Sequence, residues 1–131
     1  MQTYTGGCHC GRVRYEVTTD LARISQCNCS ICGKKGYLHH MVPPDRFRLL
    51  QGEDALVTYQ FGTHSARHQF CGVCGVASFY RPRLDPTSFM VNARCLDGVD
   101  PSTLNVVQFD GRSWAADPKA PYTGTWAPAR E

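Results

Sequence analysis

Cys8-His9-Cys10 and Cys71-Gly72-Val73-Cys74 are the two stretches that decide the fold of this 131-residue chain. Each is a pair of cysteines with one or two residues between them and glycine close by. A structural zinc ion takes four tetrahedral ligands, so one such pair needs another. The glycines let backbone amides turn towards sulfur. The two pairs therefore predict a four-thiolate zinc site that ties the N-terminal segment to the middle of the chain.

A third cluster, Cys27-Asn28-Cys29-Ser30-Ile31-Cys32, is left over with three sulfurs. Three thiolates can hold one face of a metal ion and leave its fourth position to water, a thiol or a carbonyl oxygen. On zinc, a thiol loses its proton readily and a carbonyl becomes more electrophilic. The cluster therefore indicates an open catalytic site, made by Cys27, Cys29 and Cys32, that joins a thiol to an aldehyde.

Other interpretations of this cluster stay open from the residues alone. A fourth ligand would close the site, and the candidates are Cys95, His9, His39, His40, His64 and His68. The protein would then be a zinc-stabilised binding module with two structural sites and no catalysis. Alternatively, the cluster holds no metal, or serves in thiol redox chemistry or metal handling. A lone cysteine such as Cys95 is more often a small buried hydrophobic residue.

The composition is that of a globular protein, with 42% hydrophobic and 19% charged residues. The first residues do not resemble a signal peptide and no apolar run is long enough for a bilayer, so we expect a soluble, cytoplasmic protein with no membrane partner. Its eight cysteines would stay reduced there, which favours metal ligands over disulfides. Seven thiolates and two zinc ions would cancel the formal charge of +3, so we expect no nucleic-acid partner. The oligomeric state is left open.

Short segments in which apolar and polar residues alternate predict half-buried strands. The five predicted strands cover 13–17, 57–61, 66–70, 89–93 and 104–109. The turn at 62–65 joins two of them into a hairpin. The predicted class is all-β, with several short antiparallel sheets organised around the zinc–thiolate sites in one domain over residues 1–131.

Helical signals are weak by comparison. The stretch 44–50 predicts one turn, with Pro44 near its start. The tail, residues 117–131, is rich in Pro, Ala and Gly, and is expected either to be loose or to dock on the core through Tyr122 and Trp126. Trp114 and Trp126 are expected to anchor the core or the tail.

Three motifs together are specific enough to suggest a family: Gly7-Cys8-His9-Cys10-Gly11 with Val13-Arg14-Tyr15-Glu16-Val17, then Cys27-Asn28-Cys29-Ser30-Ile31-Cys32, then Phe70-Cys71-Gly72-Val73-Cys74-Gly75-Val76. They resemble the glutathione-dependent formaldehyde-activating enzyme family. Two further stretches are similar to its centromere-protein-V-like branch: Ser78-Phe79-Tyr80-Arg81-Pro82-Arg83 and Cys95-Leu96-Asp97. The likeness runs from about Gly6 to about Trp114.

The resemblance implies an all-β fold of several coiled sheets with two zinc ions, one structural and one catalytic. It implies that the structural ligands are Cys8, Cys10, Cys71 and Cys74, and that the catalytic ones are Cys27, Cys29 and Cys32. The implied chemistry is formation or cleavage of a carbon–sulfur bond. Its founding reaction adds glutathione to formaldehyde to give S-(hydroxymethyl)glutathione.

Several other side chains are candidates for roles in substrate binding. Glutathione has two carboxylates, and the cations that could bind them, or that are simply solvated, are Lys34, Lys35, Arg81, Arg83 and Arg94. His39-His40 could act as a general base or support the thiolates, or form a strand with one ring exposed and one packed. His64 and His68 flank the hairpin turn. Of Phe79 and Tyr80, one should point into the core and the other towards a cleft, because strand side chains alternate.

Overall fold

Short strands supply nearly all of the regular structure in this computed structural model, which describes residues 1–112. The strands in that range are β1 (Gln2–Gly7), β2 (Arg14–Thr19), β3 (Ile24–Cys27), β4 (His39–Val42), β5 (Phe47–Gln51), β6 (Leu56–Tyr59), β7 (His68–Cys71), β8 (Phe79–Tyr80), β9 (Phe89–Asn92) and β10 (Val106–Phe109). They are joined by one turn of α-helix, α1 (Cys32–Lys35), and by 3-10 turns at Pro44–Arg46, Glu53–Ala55, Ala93–Cys95 and Pro101–Thr103. The predicted all-β class is confirmed.

The first sheet has three antiparallel strands in the order β1-β2-β5. Along β2 the side chains of Tyr15, Val17 and Thr19 are buried, and the residues between them are half-buried. The ring of Tyr15 lies 5.1 Å from that of Phe47 on β5 and 5.7 Å from that of Phe79 on β8. The core therefore joins this sheet to the next one.

The second sheet has five strands in the order β10-β3-β4-β9-β8. Its pairs are antiparallel except for β10 and β3, which run parallel, with Val106 beside Ile24 and Phe109 beside Cys27. This parallel pair brings the end of the described chain next to the first cysteine of the three-cysteine cluster.

The third sheet is the antiparallel pair of β6 and β7, so the predicted hairpin is confirmed. The predicted half-burial of 57–61 is wrong, because Val57, Tyr59 and Phe61 are 43%, 52% and 42% exposed. Strand β6 pairs only with β7 among the described strands, so its side chains lie at the surface.

Three phenylalanine rings, on β5, β8 and β9, pack against one another. The ring of Phe47 lies 3.8 Å from that of Phe89 and 4.9 Å from that of Phe79. Burying a side chain of this kind contributes about 1.5–3 kcal/mol. A smaller cluster of Ile24, Leu38 and Ala93 lies beneath the second sheet.

The predicted turn over 44–50 is helical only at its start. The 3-10 turn Pro44–Arg46 ends where β5 begins, because Phe47 pairs with Val17 and its ring enters the core.

The predictions for Trp114 and for the tail, residues 117–131 with Tyr122 and Trp126, lie outside the described residues. Within residues 1–112, no helix has the length and apolar character that crossing a bilayer requires.

Candidate functional site

The four-cysteine cluster joins the first sheet to the hairpin. Cys8 and Cys10 follow β1, Cys71 ends β7, and Cys74 lies in the turn after it. All four sulfurs lie within 4.8 Å of one another, with 3.6 Å between Cys8 and Cys10 and 3.7 Å between Cys10 and Cys71. Zinc–sulfur bonds of about 2.3 Å in a tetrahedron place sulfurs about 3.8 Å apart. The residues present therefore fit a four-thiolate metal site.

Backbone amides donate hydrogen bonds to sulfurs of this cluster. The N–H of Val73 donates to Sγ of Cys71 at 3.4 Å. Backbone hydrogen bonds at Val76 and Cys10 lower the pKa of Cys74 to about 6. Donors of this kind favour the thiolate, which is the form that binds metal.

The three-cysteine cluster lies where β3 leads into α1. Cys27 is the last residue of β3 and Cys32 the first of α1, and the three sulfurs lie within 4.8 Å of one another. Hydrogen bonds from the thiols of Cys27 and Cys32 lower the pKa of Cys29 to about 2, and the backbone N–H of Cys32 adds to this effect. The same contacts raise the pKa values of Cys27 and Cys32. The three sulfurs are close enough together to hold a metal ion.

The segment after β10 closes one side of the three-cysteine cluster. A Cβ on Gly111 would lie 2.2 Å from Sγ of Cys27 and 3.3 Å from Cβ of Cys29. The side chain of Asn28 donates to Asp110 at 3.0 Å and accepts from the backbone N–H of Arg112 at 2.9 Å. No local sequence pattern predicts this contact, because nothing near residues 110–112 shows that they return to residue 28.

Within residues 1–112, no histidine, acidic residue or eighth cysteine joins the three-cysteine cluster as a fourth ligand. Cys95 is half-buried elsewhere, with its thiol 4.0 Å from the backbone oxygen of Ala77. Burial raises the pKa of Cys95 to about 11. These observations agree with Cys95 as a small hydrophobic residue.

A cavity of about 600 Å³ opens beside the three-cysteine cluster, and Cys27, Cys29 and Cys32 form part of its wall. The rest of the wall is mainly apolar, with Ile31, Met41, Phe61, Leu84, Met90 and Phe109. Arg23 and Arg83 also line it, and no acidic residue is among its described lining residues. The arrangement could bind a molecule with both apolar and anionic parts next to the sulfurs.

Two buried histidines line the same cavity. The hydroxyl of Tyr80 lies 2.9 Å from Nδ1 of His39, and the ring of His68 stacks on that of Tyr80 at 5.2 Å. Burial lowers the pKa of both His39 and His68 to about 4. Among the described residues, Nε2 of His39 and Nδ1 of His68 have no hydrogen-bond partner. Both rings are therefore neutral at pH 7, and each has one buried nitrogen without such a partner.

The remaining histidine predictions have mixed outcomes. The expectation of one exposed ring for the pair His39-His40 is wrong, since each is only 4% exposed. His40 is held away from the cavity by Thr19 at 2.6 Å and by the backbone oxygen of Arg23 at 2.8 Å. His64 is exposed in the hairpin turn and does not line the cavity.

The alternation expected for Phe79 and Tyr80 is confirmed. Phe79 packs in the core against Tyr15 and Phe47, whereas Tyr80 lines the cavity. Burial raises the pKa of Tyr80, and the sulfurs of the three-cysteine cluster add to that effect. Tyr80 therefore stays a protonated hydroxyl beside the cluster.

Of the five candidate cations, only Arg83 lines the cavity. Lys34 and Arg94 are exposed, and the guanidinium of Arg81 lies 3.7 Å from the centre of the Phe89 ring. Lys35 lies 5.4 Å from the centre of the Tyr80 ring, and burial lowers its pKa. Arg23 reaches the cavity wall without having been predicted, because it lies just before β3 in a stretch with no motif.

Comparisons with known proteins agree with this geometry. A family model described as "Glutathione-dependent formaldehyde-activating enzyme" matches residues 3–110, a range that contains all seven cysteines of the two clusters. The chain is also similar to a solved crystal structure of a Rhodobacter sphaeroides protein. The two are 36% identical over 79% of this chain and 97% of that one, with a TM-score of 0.74.

Proposed function

Because the chain belongs to the glutathione-dependent formaldehyde-activating enzyme family, we propose that it is a zinc-dependent carbon–sulfur lyase or synthase. It would join a small thiol such as glutathione to an aldehyde such as formaldehyde, or cleave the product. The observation that carries this proposal is the position of the three-cysteine cluster in the wall of a cavity of about 600 Å³.

The proposal includes two zinc ions with different roles. Cys8, Cys10, Cys71 and Cys74 would hold a structural ion, and their spacing supports this. Cys27, Cys29 and Cys32 would hold a catalytic ion. Zinc bound there supplies a Lewis acid that polarises a carbonyl and lowers the pKa of a thiol.

The wider context of the chain is also part of the proposal. Residues 1–131 would act as one domain, in the cytoplasm, where cysteines stay reduced. Within the family, the stretches 78–83 and 95–97 favour the centromere-protein-V-like branch.

The chain's own residues would bind and orient the two substrates. Arg23 and Arg83 on the cavity wall suit the two carboxylates of glutathione. The apolar part of the wall would keep water from the reacting atoms. The thiol sulfur bonds to the carbonyl carbon, the π electrons move to the oxygen, and the proton of the thiol ends on that oxygen. Cleavage is the same step reversed.

The alternative, a binding module with two closed structural sites, needs a fourth protein ligand for the three-cysteine cluster. None is found within residues 1–112. X-ray absorption at the zinc edge on protein with two zinc ions would separate the two functions. A mixture of four-sulfur and three-sulfur coordination supports the enzyme, and two ions that both have four protein ligands support the binding module.

The activity itself is tested by exchange NMR between formaldehyde and glutathione, with wild-type protein, with Cys29→Ala and without protein. We expect wild type to accelerate exchange and Cys29→Ala to match the protein-free rate. Cys95→Ala is the matched control, since Cys95 is outside both clusters, and it should keep the wild-type rate. Equal rates for wild type, Cys29→Ala and the blank would reject formaldehyde as a substrate, and the same result with larger aldehydes would reject the function.

A further inference from the structure

The cavity beside the three-cysteine cluster is much larger than formaldehyde needs. Formaldehyde has two heavy atoms and fills about the space of two waters, roughly 60 Å³. The cavity measures about 600 Å³, which is in the range of sites that enclose a drug-sized ligand. The volume alone does not show which part of the substrate fills the cavity. The polar and apolar residues that line the cavity do indicate this.

One face of the second sheet forms a part of that wall that is polar at one end and apolar at the other. His39 and Met41 lie two residues apart on β4 and so share a face. Met41 pairs with Met90 on β9, and Met90 pairs with Tyr80 on β8. All four side chains line the cavity. From His39 to the methionine pair, about 7 Å along the strand, the face changes from polar to apolar.

The polar end of this face is the one next to the three-cysteine cluster. His39 is hydrogen-bonded to the Tyr80 hydroxyl at 2.9 Å. His39 also pairs with Ser25 on β3, the strand that ends at Cys27. A carbonyl that reacts at the sulfurs would therefore extend its substituent towards Met41 and Met90.

The apolar end is not covered by the described part of the chain. Met41 at this end is 39% exposed. Phe61, whose ring stacks on that of His68 at 5.6 Å, also lines the cavity and is 42% exposed. Exposed apolar side chains that gather in one concave site usually mark a binding surface. Methionine is flexible and polarisable, so the Met41–Met90 pair can fit different apolar shapes.

We propose that the aldehyde substrate of this enzyme carries a bulky apolar group, aromatic or branched aliphatic, which binds against Met41, Met90 and Phe61. The inference rests on the proposed function and names the class of its carbonyl substrate. The bond changes are those of the same addition: a carbon–sulfur bond forms, and the thiol proton ends on the former carbonyl oxygen.

Methionine methyl NMR tests the binding step without any turnover. The chain has three methionines, and Met1 is 71% exposed at the N-terminus, outside the cavity, where it serves as an internal control. In full-length protein with 13C-methyl methionine, 2-phenylethanol, a non-reactive analogue of phenylacetaldehyde, should shift the Met41 and Met90 signals and leave Met1 in place. Ethanol at the same concentration should shift none of them. Met41→Leu and Met90→Leu assign the two signals.

Steady-state kinetics test whether the enzyme prefers an aldehyde with an apolar group to formaldehyde. With glutathione as the thiol, we expect kcat/KM for phenylacetaldehyde to exceed that for formaldehyde by about 10-fold or more, as apolar contacts in a pocket allow. Met41→Gln should remove about 10-fold for phenylacetaldehyde and change the formaldehyde value less than about 2-fold. Leu50→Gln is the matched control, because Leu50 is 44% exposed and does not line the cavity.

The two experiments separate this inference from the proposed function. If no aldehyde is turned over, the proposed function fails, and the methyl shifts still decide whether the cavity takes an apolar group. If 2-phenylethanol leaves Met41 and Met90 unshifted, or if the enzyme turns over formaldehyde at least as well as phenylacetaldehyde, the inference is wrong. Shifts at both methionines together with the 10-fold preference support it.

Discussion

Gly111 decides how closely the chain can approach the three-cysteine cluster. Its backbone lies so near Cys27 that an added Cβ would come within 2.2 Å of the sulfur, far inside van der Waals contact. Gly33, in α1 beside the same cluster, has its nearest neighbour 3.7 Å from such a Cβ. The two glycines are therefore a matched pair, one sterically required and one not.

Gly111→Ala should displace the Cys27 sulfur and weaken metal binding by the three-cysteine cluster about 10-fold or more. Gly33→Ala should leave binding unchanged and stabilise the helical turn by up to about 1 kcal/mol. Competition with a chromophoric zinc chelator measures both effects. Equal affinities for the two variants would show that the close approach of Gly111 does not shape the cluster.

His39 makes the stability of the protein depend on pH. Burial lowers its pKa from 6.5 to about 4 in the folded protein; the sulfur of Cys29 opposes this shift, and Lys35 and His68 add to it electrostatically. The unfolded chain therefore takes up the proton first as the pH falls. The contribution of neutral His39 is complete above about pH 6.5 and is lost as the pH falls towards about 4.

We therefore expect wild type to lose more stability than His39→Phe between about pH 6.5 and 4, by about 1.4 kcal/mol per pH unit. Urea unfolding at several pH values in excess zinc gives the two slopes. The exposed His64 supplies the control, and His64→Gln should follow wild type. If the free energy of unfolding fell equally steeply with pH in wild type and His39→Phe, the buried His39 would not be the source of the pH dependence.

At the scale of elements, the loop from β3 to α1 depends on β10. The parallel pair of β10 and β3 places Phe109 beside Cys27, and Asn28 then bonds both Asp110 and Arg112. The three-cysteine cluster is therefore supported by a strand far away in sequence as well as by its own loop.

Asn28→Ala removes both of those hydrogen bonds and should cost about 2 kcal/mol locally, at about 1 kcal/mol for each bond. Amide hydrogen exchange should become about 10-fold faster or more at Arg112 and along β10, while β2 keeps its protection. Asn105→Ala is the control, since Asn105 is exposed and lies outside the cluster contacts. If amide exchange became faster by the same factor along the whole chain, Asn28→Ala would have destabilised the protein globally, and the two hydrogen bonds of Asn28 would have no specific local effect.

At the scale of the whole molecule, the four-cysteine cluster connects two sheets that share no strand pair. Cys8 and Cys10 belong to the end of the first sheet, and Cys71 and Cys74 to the hairpin. The three cysteines of the other cluster all lie in one short segment, residues 27–32, from the end of β3 to the start of α1. The two clusters should therefore contribute differently to folding and to activity.

Cys74→Ser should lower the free energy of unfolding by about 4 kcal/mol, because the metal no longer links the two sheets. Cys29→Ser should lose one metal ion and all activity, with a smaller loss of stability. Thermal unfolding and metal analysis of both variants measure this, with Cys95→Ser as the unperturbed reference. A larger stability loss for Cys29→Ser would reverse the proposed roles.

The sequence by itself determined the class of the fold and the division of the cysteines. Strands such as 13–17 alternate because one side faces a core, and ligand spacing is a local property that a short stretch can encode. The tertiary structure alone decided what surrounds the three-cysteine cluster. Strand pairings between distant segments place Gly111 against the cluster and Arg23, Met41 and Met90 on the wall of the adjoining cavity. Such pairings follow from which arrangement buries most apolar surface, and no local pattern in the sequence records that choice.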